Sequence, residues 1–121
     1  MMTKEQYIER LRKLNLKVYF MGELISNPVD HPMIRPSMNS VAMTYELAEK
    51  DEYKTLMTAK SNLTGKTVNR FCHLHQSTED LINKVKMQRL VGQKTGACFQ
   101  RCVGMDAFNA IYSTTYEIDQ A

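Results

Sequence analysis

The stretch STEDLINKVKMQRLVGQKTGACFQRCVG, residues 77–104, decides how this chain reads. Ser77 stands before an acidic first turn, Glu79 and Asp80, the pattern of an N-cap joined to charges that complement the free amides of a helix start. No proline interrupts residues 78–104. Leu81, Val85, Gln88 and Gly92 share one helical stripe, with Ile82, Met87 and Leu90 beside it. The spacing predicts a helix from residue 78 to at least 93, continuing through Cys102. Gly92 and Gly96 sit four apart on one face, and each costs about 1 kcal/mol relative to Ala in a helix. Either another helix or a ligand approaches closely there, or the helix breaks near residue 95.

Outward from this run, Thr3 and Gln6 form a capping box, so residues 4–14 read as an amphipathic helix carrying Tyr7, Ile8, Leu11 and Leu14. KVYFMGEL (17–24) is β-branched and aromatic until Gly22, and reads as a short extended segment entering a turn. NPVDHPMIRP (27–36) holds all 3 prolines of the chain and allows no regular structure beyond turns. Pro36 and Ser37 open a second helix, with Met38, Val41, Ala42 and Tyr45 on its apolar face, to about Ala48. DEYKTLMT (51–58) reads as a short helix, and AKSNLTGKTVNRFCHLHQ (59–76) as irregular or hairpin-like around Thr64-Gly65. Asp106 can cap a last helix bearing Phe108, Ile111, Tyr112 and Tyr116. The expected class is mainly α, with short irregular or β segments on each side of the second helix. Residues 1–121 read as a single helical domain. TTYEIDQA (114–121) ends without a terminating signal, which points to a fragment of a longer multidomain protein.

Composition bounds the chemistry. The chain is 43% hydrophobic and 24% charged, ordinary for a globular domain, and no apolar run approaches a membrane span. Net charge is +3, with 16 basic residues interleaved among 13 acidic ones, which gives no nucleic-acid footprint. MMTKEQYIER turns charged and amphipathic at once, so a signal peptide is not expected and the cytoplasm is. An odd count of 3 cysteines favours reduced thiols or metal thiolates over a disulfide framework. The 9 methionines read as filler of irregular core gaps.

Cys98 and Cys102 are i and i+4 if the long helix continues, with Cβ atoms about 6 Å apart. That spacing suits two ligands of one metal centre and strains a disulfide. A thioredoxin-like pair would have two intervening residues. On spacing alone, two packed cysteines remain the commoner outcome. In FCHLHQ (71–76), alternation places Cys72 and Leu74 on one face and His73 and His75 on the other, which predicts solvent-facing histidines beside a half-buried strand rather than a zinc site. Asp30 and His31 could form an acid–base pair, but an Asx-stabilised turn is the simpler reading. Arg101 either meets an anionic group or is a surface charge. The sequence has no nucleotide-binding glycine pattern, nucleophile elbow or paired-histidine zinc motif.

VDHPMIRPS (29–37), MTYELA (43–48), KSNLTGKTVNRF (60–71), LHQSTEDL (74–81), KVKMQRLVGQKTGACFQRCVGMDAFNA (84–110) and STTYEID (113–119) together resemble the start of the 4-hydroxybutyryl-CoA dehydratase family. More distantly the chain is similar to the N-terminal domain of the 4-hydroxyphenylacetate 3-monooxygenase family. The resemblance implies the N-terminal helical domain of an acyl-CoA dehydrogenase-like fold, with a middle β domain and a C-terminal helical bundle beyond it. It implies a homotetrameric fermentation enzyme, a lyase and isomerase, with FAD and a 4Fe–4S cluster. That enzyme turns 4-hydroxybutyryl-CoA into crotonyl-CoA and isomerises vinylacetyl-CoA. Its partners would be the acyl-CoA and its own remaining domains, not nucleic acid or membrane. Cys98 and Cys102 match two of the family's cluster ligands, which are three cysteines and one histidine, the others lying beyond residue 121. Gln100 matches a residue near substrate or flavin. Cys72 and His73 match no ligand. The 121 residues alone would then be inactive and hold neither group. Two alternatives stay open: an aromatic monooxygenase-type flavoprotein domain without a cluster, and a free-standing helical interaction module.

Overall fold

Thr3 caps the first helix reciprocally with Gln6. The Gln6 N–H donates to Thr3 Oγ1 at 3.2 Å and the Thr3 N–H donates to Gln6 Oε1 at 3.1 Å, so α1 runs Lys4–Lys13. The computed structural model describes residues 1–98 and 101–121. After α1, β1 (Val18–Phe20) pairs antiparallel with β2 (Glu23–Ile25), Val18 opposite Ile25. The hairpin turns at Met21 and Gly22, whose φ angles of 53° and 86° are the positive pair of a type I′ turn. The proline segment makes turns and delivers Pro36 into the first turn of α2 (Arg35–Glu49), where a missing N–H costs nothing. Lys50 is extended and separates α2 from α3 (Asp51–Met57).

Of the 59–76 stretch, read as irregular or hairpin-like, the part up to Asn69 forms a hairpin: β3 (Thr58–Lys60) pairs with β4 (Thr67–Asn69), Thr58 opposite Asn69. A single 3₁₀ turn, Arg70–Cys72, comes next, then α4 (Thr78–Thr95) and α5 (Arg101–Gln120). The fold is thus mostly helical with two small two-stranded sheets, as the sequence implied. No helix among the described residues is long and apolar enough to cross a membrane.

The core gathers Leu47 and Ala48 of α2, Met57 of α3, Phe71, Met87 and Val91 of α4, and Met105 of α5. Three flexible thioethers suit a space bounded by four helices and a 3₁₀ turn at irregular angles. Two buried polar residues fasten the hairpin to it. Asn69 Nδ2 donates to the Thr44 carbonyl at 3.0 Å while its Oδ1 accepts from the Phe71 N–H. Arg70 donates to the carbonyls of Leu56 and Thr58, both at 2.7 Å, and of Thr55 at 3.1 Å.

Three expectations from the sequence fail. The helix from residue 78 does not continue through Cys102; it stops at Thr95, the break held open near residue 95, because Gly96 adopts φ 62° and its N–H returns to the Gly92 carbonyl at 2.9 Å. Among the described residues no other helix approaches Gly92 closely, since a Cβ there would meet nothing within 4 Å. Asp106 does not cap the last helix. It lies inside α5, five residues past the start, and pairs with Lys84 of α4. Finally, α4 turns Met87 and Val91 inward and leaves Leu81, Ile82 and Val85 exposed, while on α5 Met105 is buried and Phe108, Ile111 and Tyr116 are exposed. An apolar stripe on a single helix is wider than the contact it finds.

Candidate functional site

The break at Gly96 moves the two cysteines off a common helix. Cys98 lies exposed in the connection after α4, and Cys102 lies half-buried in the first turn of α5, so the i, i+4 geometry expected for them does not form. They nevertheless line one cavity of about 220 Å³, walled by Phe71, Gln88, Val91, Gly92, Ala97 and Arg101. Gly96 sets this arrangement, because its left-handed backbone ends α4 and releases Ala97 and Cys98. The Ala97 N–H and carbonyl both fold back on the Thr95 hydroxyl, at 3.2 and 3.3 Å. Gln100, between the cysteines, lies outside the described residues.

Arg101 is not a loose surface charge. Its guanidinium stands 4.5 Å from the Phe71 ring centroid and 5.6 Å from that of Tyr45, and Nη1 donates to Thr44 Oγ1. Two aromatic faces and a hydroxyl hold a permanent cation at the cavity wall, which favours a negatively charged occupant. Gln88 brings a second polar group to the same wall, and its Nε2 is buried with no hydrogen-bond partner among the described residues. Among the described residues, no three His, Cys, Asp or Glu side chains are placed to hold a metal ion, so the two thiols are at most part of a ligand set.

The histidines of FCHLHQ are not solvent-facing. His73 is 4% exposed and His75 half-buried, while Cys72 is exposed and Leu74 buried. The 3₁₀ turn at Arg70–Cys72 breaks the period-two alternation, and Asp80 draws His73 inward, with Nε2 3.1 Å from Asp80 Oδ1. Burial pushes the Asp80 carboxyl up. Hydrogen bonds from the Gln76 N–H, His73 and the Ser77 hydroxyl outweigh it and hold the group below the usual carboxylate range. Burial, then the charge of Lys84, pushes the His75 imidazole down. Asn109 of α5 bridges the segment, accepting from the His75 N–H at 2.8 Å and donating to the His73 carbonyl at 3.3 Å. His73 Nδ1 and His75 Nε2 are buried without partners among the described residues. This network fastens the 73–77 segment to α4 and α5.

Asp30 is engaged by side chains rather than by an Asx contact to the backbone. It accepts from both Arg12 nitrogens, Nη2 to Oδ1 at 2.7 Å, and from Asn27 Nδ2 at 2.7 Å, and these partners hold it down to about 2. His31 Nδ1 accepts from the Met33 N–H at 3.3 Å. Neither faces the cysteine cavity. Sequence reasoning missed Gln88, although a polar residue on an otherwise apolar stripe was the available signal. It missed the Arg70–Asp80–His73 network entirely, because no local spacing announces it.

The family model for the 4-hydroxyphenylacetate 3-hydroxylase N terminal matches residues 3–121. The chain is 74% identical over 120 residues to the 4-hydroxybutyryl-CoA dehydratase/vinylacetyl-CoA-Δ-isomerase of Clostridium aminobutyricum, covering 99% of this chain and 24% of that protein. It superposes on an oxygen-tolerant archaeal 4-hydroxybutyryl-CoA dehydratase from N. maritimus with a TM-score of 0.90 and 58% identity, covering 98% of this chain and 23% of that one. The oxygenase component of 4-hydroxyphenylacetate 3-monooxygenase, solved with FAD, shares the fold at a TM-score of 0.67 and 23% identity, covering 78% of this chain and 19% of that one. The chain spans about a quarter of the length of the dehydratases it matches.

Proposed function

This chain belongs to the 4-hydroxyphenylacetate 3-hydroxylase N-terminal family, and from that premise we propose that it is the N-terminal helical domain of a 4-hydroxybutyryl-CoA dehydratase with vinylacetyl-CoA isomerase activity. The observation that carries this reading is the 74% identity that runs over 99% of the chain. The enzyme as a whole would be a cytoplasmic homotetramer carrying FAD and a 4Fe–4S cluster, and residues 1–121 would be inactive alone.

Cys98 and Cys102 would supply two thiolates to the cluster, and polypeptide beyond these residues the other two ligands. The cavity fits such a group. It has two soft sulfur donors, a fixed cation and an unsatisfied amide donor, set among the apolar walls of Phe71 and Val91. Exposure of Cys98 also argues against its being a packing residue. When bound, the cluster would offer a Lewis-acidic iron to a substrate hydroxyl, and the flavin would supply one-electron chemistry. The chain itself has no glycine-rich phosphate cradle, so FAD would lean on polypeptide outside it.

The residues present here have definite tasks. Met105, buried in the core, and the clamped Arg101 fix the first turn of α5 and with it Cys102. Gly96 sets the direction in which Cys98 leaves α4. Arg101 offsets negative charge gathered on thiolates.

The test is iron and acid-labile sulfide content of anaerobically purified protein extended to the length of its relatives, together with crotonyl-CoA formation from 4-hydroxybutyryl-CoA. Iron, sulfide and product are expected in the parent, and Cys98→Ala should lose all three. Unchanged iron in Cys98→Ala would sink the ligand assignment. An iron-loaded parent that makes no crotonyl-CoA would sink the substrate assignment.

A further inference from the structure

Gln88 is an anomaly in its surroundings. It sits on α4 between Met87 and Leu90–Val91, yet it places an amide nitrogen out of water with no acceptor among the described residues. A buried donor left unpaired costs about 1–3 kcal/mol. The cavity it lines offers few acceptors. The Val91 and Gly92 carbonyls already accept from Thr95 Oγ1 at 2.8 Å and from the Gly96 N–H at 2.9 Å. Phe71 and Val91 bring apolar side chains, and the Arg101 guanidinium can only donate. Among the described residues lining the cavity, the side chains able to accept are Cys98 and Cys102. A thiolate or bridging sulfide accepts N–H hydrogen bonds, and such bonds tune an iron–sulfur centre through its net charge.

We infer that Gln88 is a positioning residue of the cysteine cavity, its Nε2–H donating to a sulfur of the group that Cys98 and Cys102 hold. The inference rests on the cluster reading above and adds to it a partner that is not a ligand. The hydrogen bond stabilises the more negatively charged, reduced form. Its loss therefore moves the reduction potential to more negative values while leaving the ligand set intact.

The experiment is a spectroscopically monitored redox titration of the full-length holoenzyme, with iron measured on the same samples. Gln88→Leu removes the donor at similar volume, and Gln88→Glu replaces it with a group that repels the sulfur. Gln93→Leu, an exposed position on the same helix, is the control. The expected result is full iron content throughout, a potential shifted negative in Gln88→Leu and further in Gln88→Glu, and no shift in Gln93→Leu. If Gln88→Leu does not fold, Gln88→Met supplies the same reading. A Gln88→Leu or Gln88→Met holoenzyme with parental iron and parental potential overturns the inference and leaves the ligand assignment standing. A parent without iron overturns both.

Discussion

Arg70 is only 6% exposed, and three backbone carbonyls, of Thr55, Leu56 and Thr58, take its N–H groups. Burial pushes its pKa down, opposed by the charges of Asp80 and Glu79. Asp80 Oδ1 lies 3.6 Å from its Nη1. Arg70→Met would strand three acceptors at the joint of α3 and β3, at about 1–3 kcal/mol for each that water does not reach. A loss of about 3 kcal/mol or more is expected in urea unfolding monitored by circular dichroism. Arg70→Lys should recover only part of it, because one ammonium cannot span three carbonyls set around a planar fork. A loss below about 1 kcal/mol in Arg70→Met would show that solvent satisfies these groups. Glu46 makes the acid prediction. Hydrogen bonds from Lys4 and Lys50 hold it at about 2 against an ordinary 4.5. A folded pKa below the unfolded one contributes stability that is present above about 4.5 and lost as pH falls towards 2. Glu46→Gln should therefore flatten the acid side of a plot of thermal midpoint against pH between those values, and an unchanged slope would contradict the pairing. At this scale the sequence was least legible. His73 looked solvent-facing because alternation is a rule for strands. A 3₁₀ turn of three residues, held by Arg70's long-range bonds, put it inside instead.

The beginnings of α1 and α4 were legible because capping is local: Thr3 with Gln6, and Ser77 with Asp80, each close within four residues, whereas the start of α5 was misplaced at Asp106. Helix ends depend on a backbone conformation that the sequence only permits. Gly92 and Gly96 are equivalent by spacing, yet only Gly96 adopts positive φ. Gly96→Ala forces a Cβ into the left-handed region and should cost about 1–2 kcal/mol, read as a lower thermal midpoint. If the midpoint holds, α4 does not need this cap. Met21 is the opposite case. It occupies positive φ in the first hairpin, 88% exposed, where Asn is the better-adapted residue. Met21→Asn should stabilise by about 0.5–1 kcal/mol in the same assay, and a destabilised variant would mean that the methionine makes a contact the φ angle does not reveal.

Fold class was readable for the molecule as a whole, since helical periodicity and turn chemistry are each repeated along the chain. What covers each apolar face was not, because periodicity marks a face without naming its neighbour. Val103, Phe108, Ile111, Tyr116 and Ile118 of α5 are all exposed, with Leu81, Ile82 and Val85 of α4. So much apolar surface predicts concentration-dependent association of the 121-residue chain in sedimentation velocity, reversed by Ile111→Lys with Ile118→Lys at unchanged helicity. A monomer at all concentrations would refute this. The break between α4 and α5 has a mechanical meaning as well. Cys98 lies in the connection that follows α4 and Cys102 in the first turn of α5. A group gripping both sulfurs is therefore a weld across a joint rather than an ornament on a rod. Lys84 with Asp106, and Asn109 with the histidine segment, already brace that joint from the far side. On the proposed cluster reading, a chelator that stripped the group would turn a closed truss into one held along a single edge.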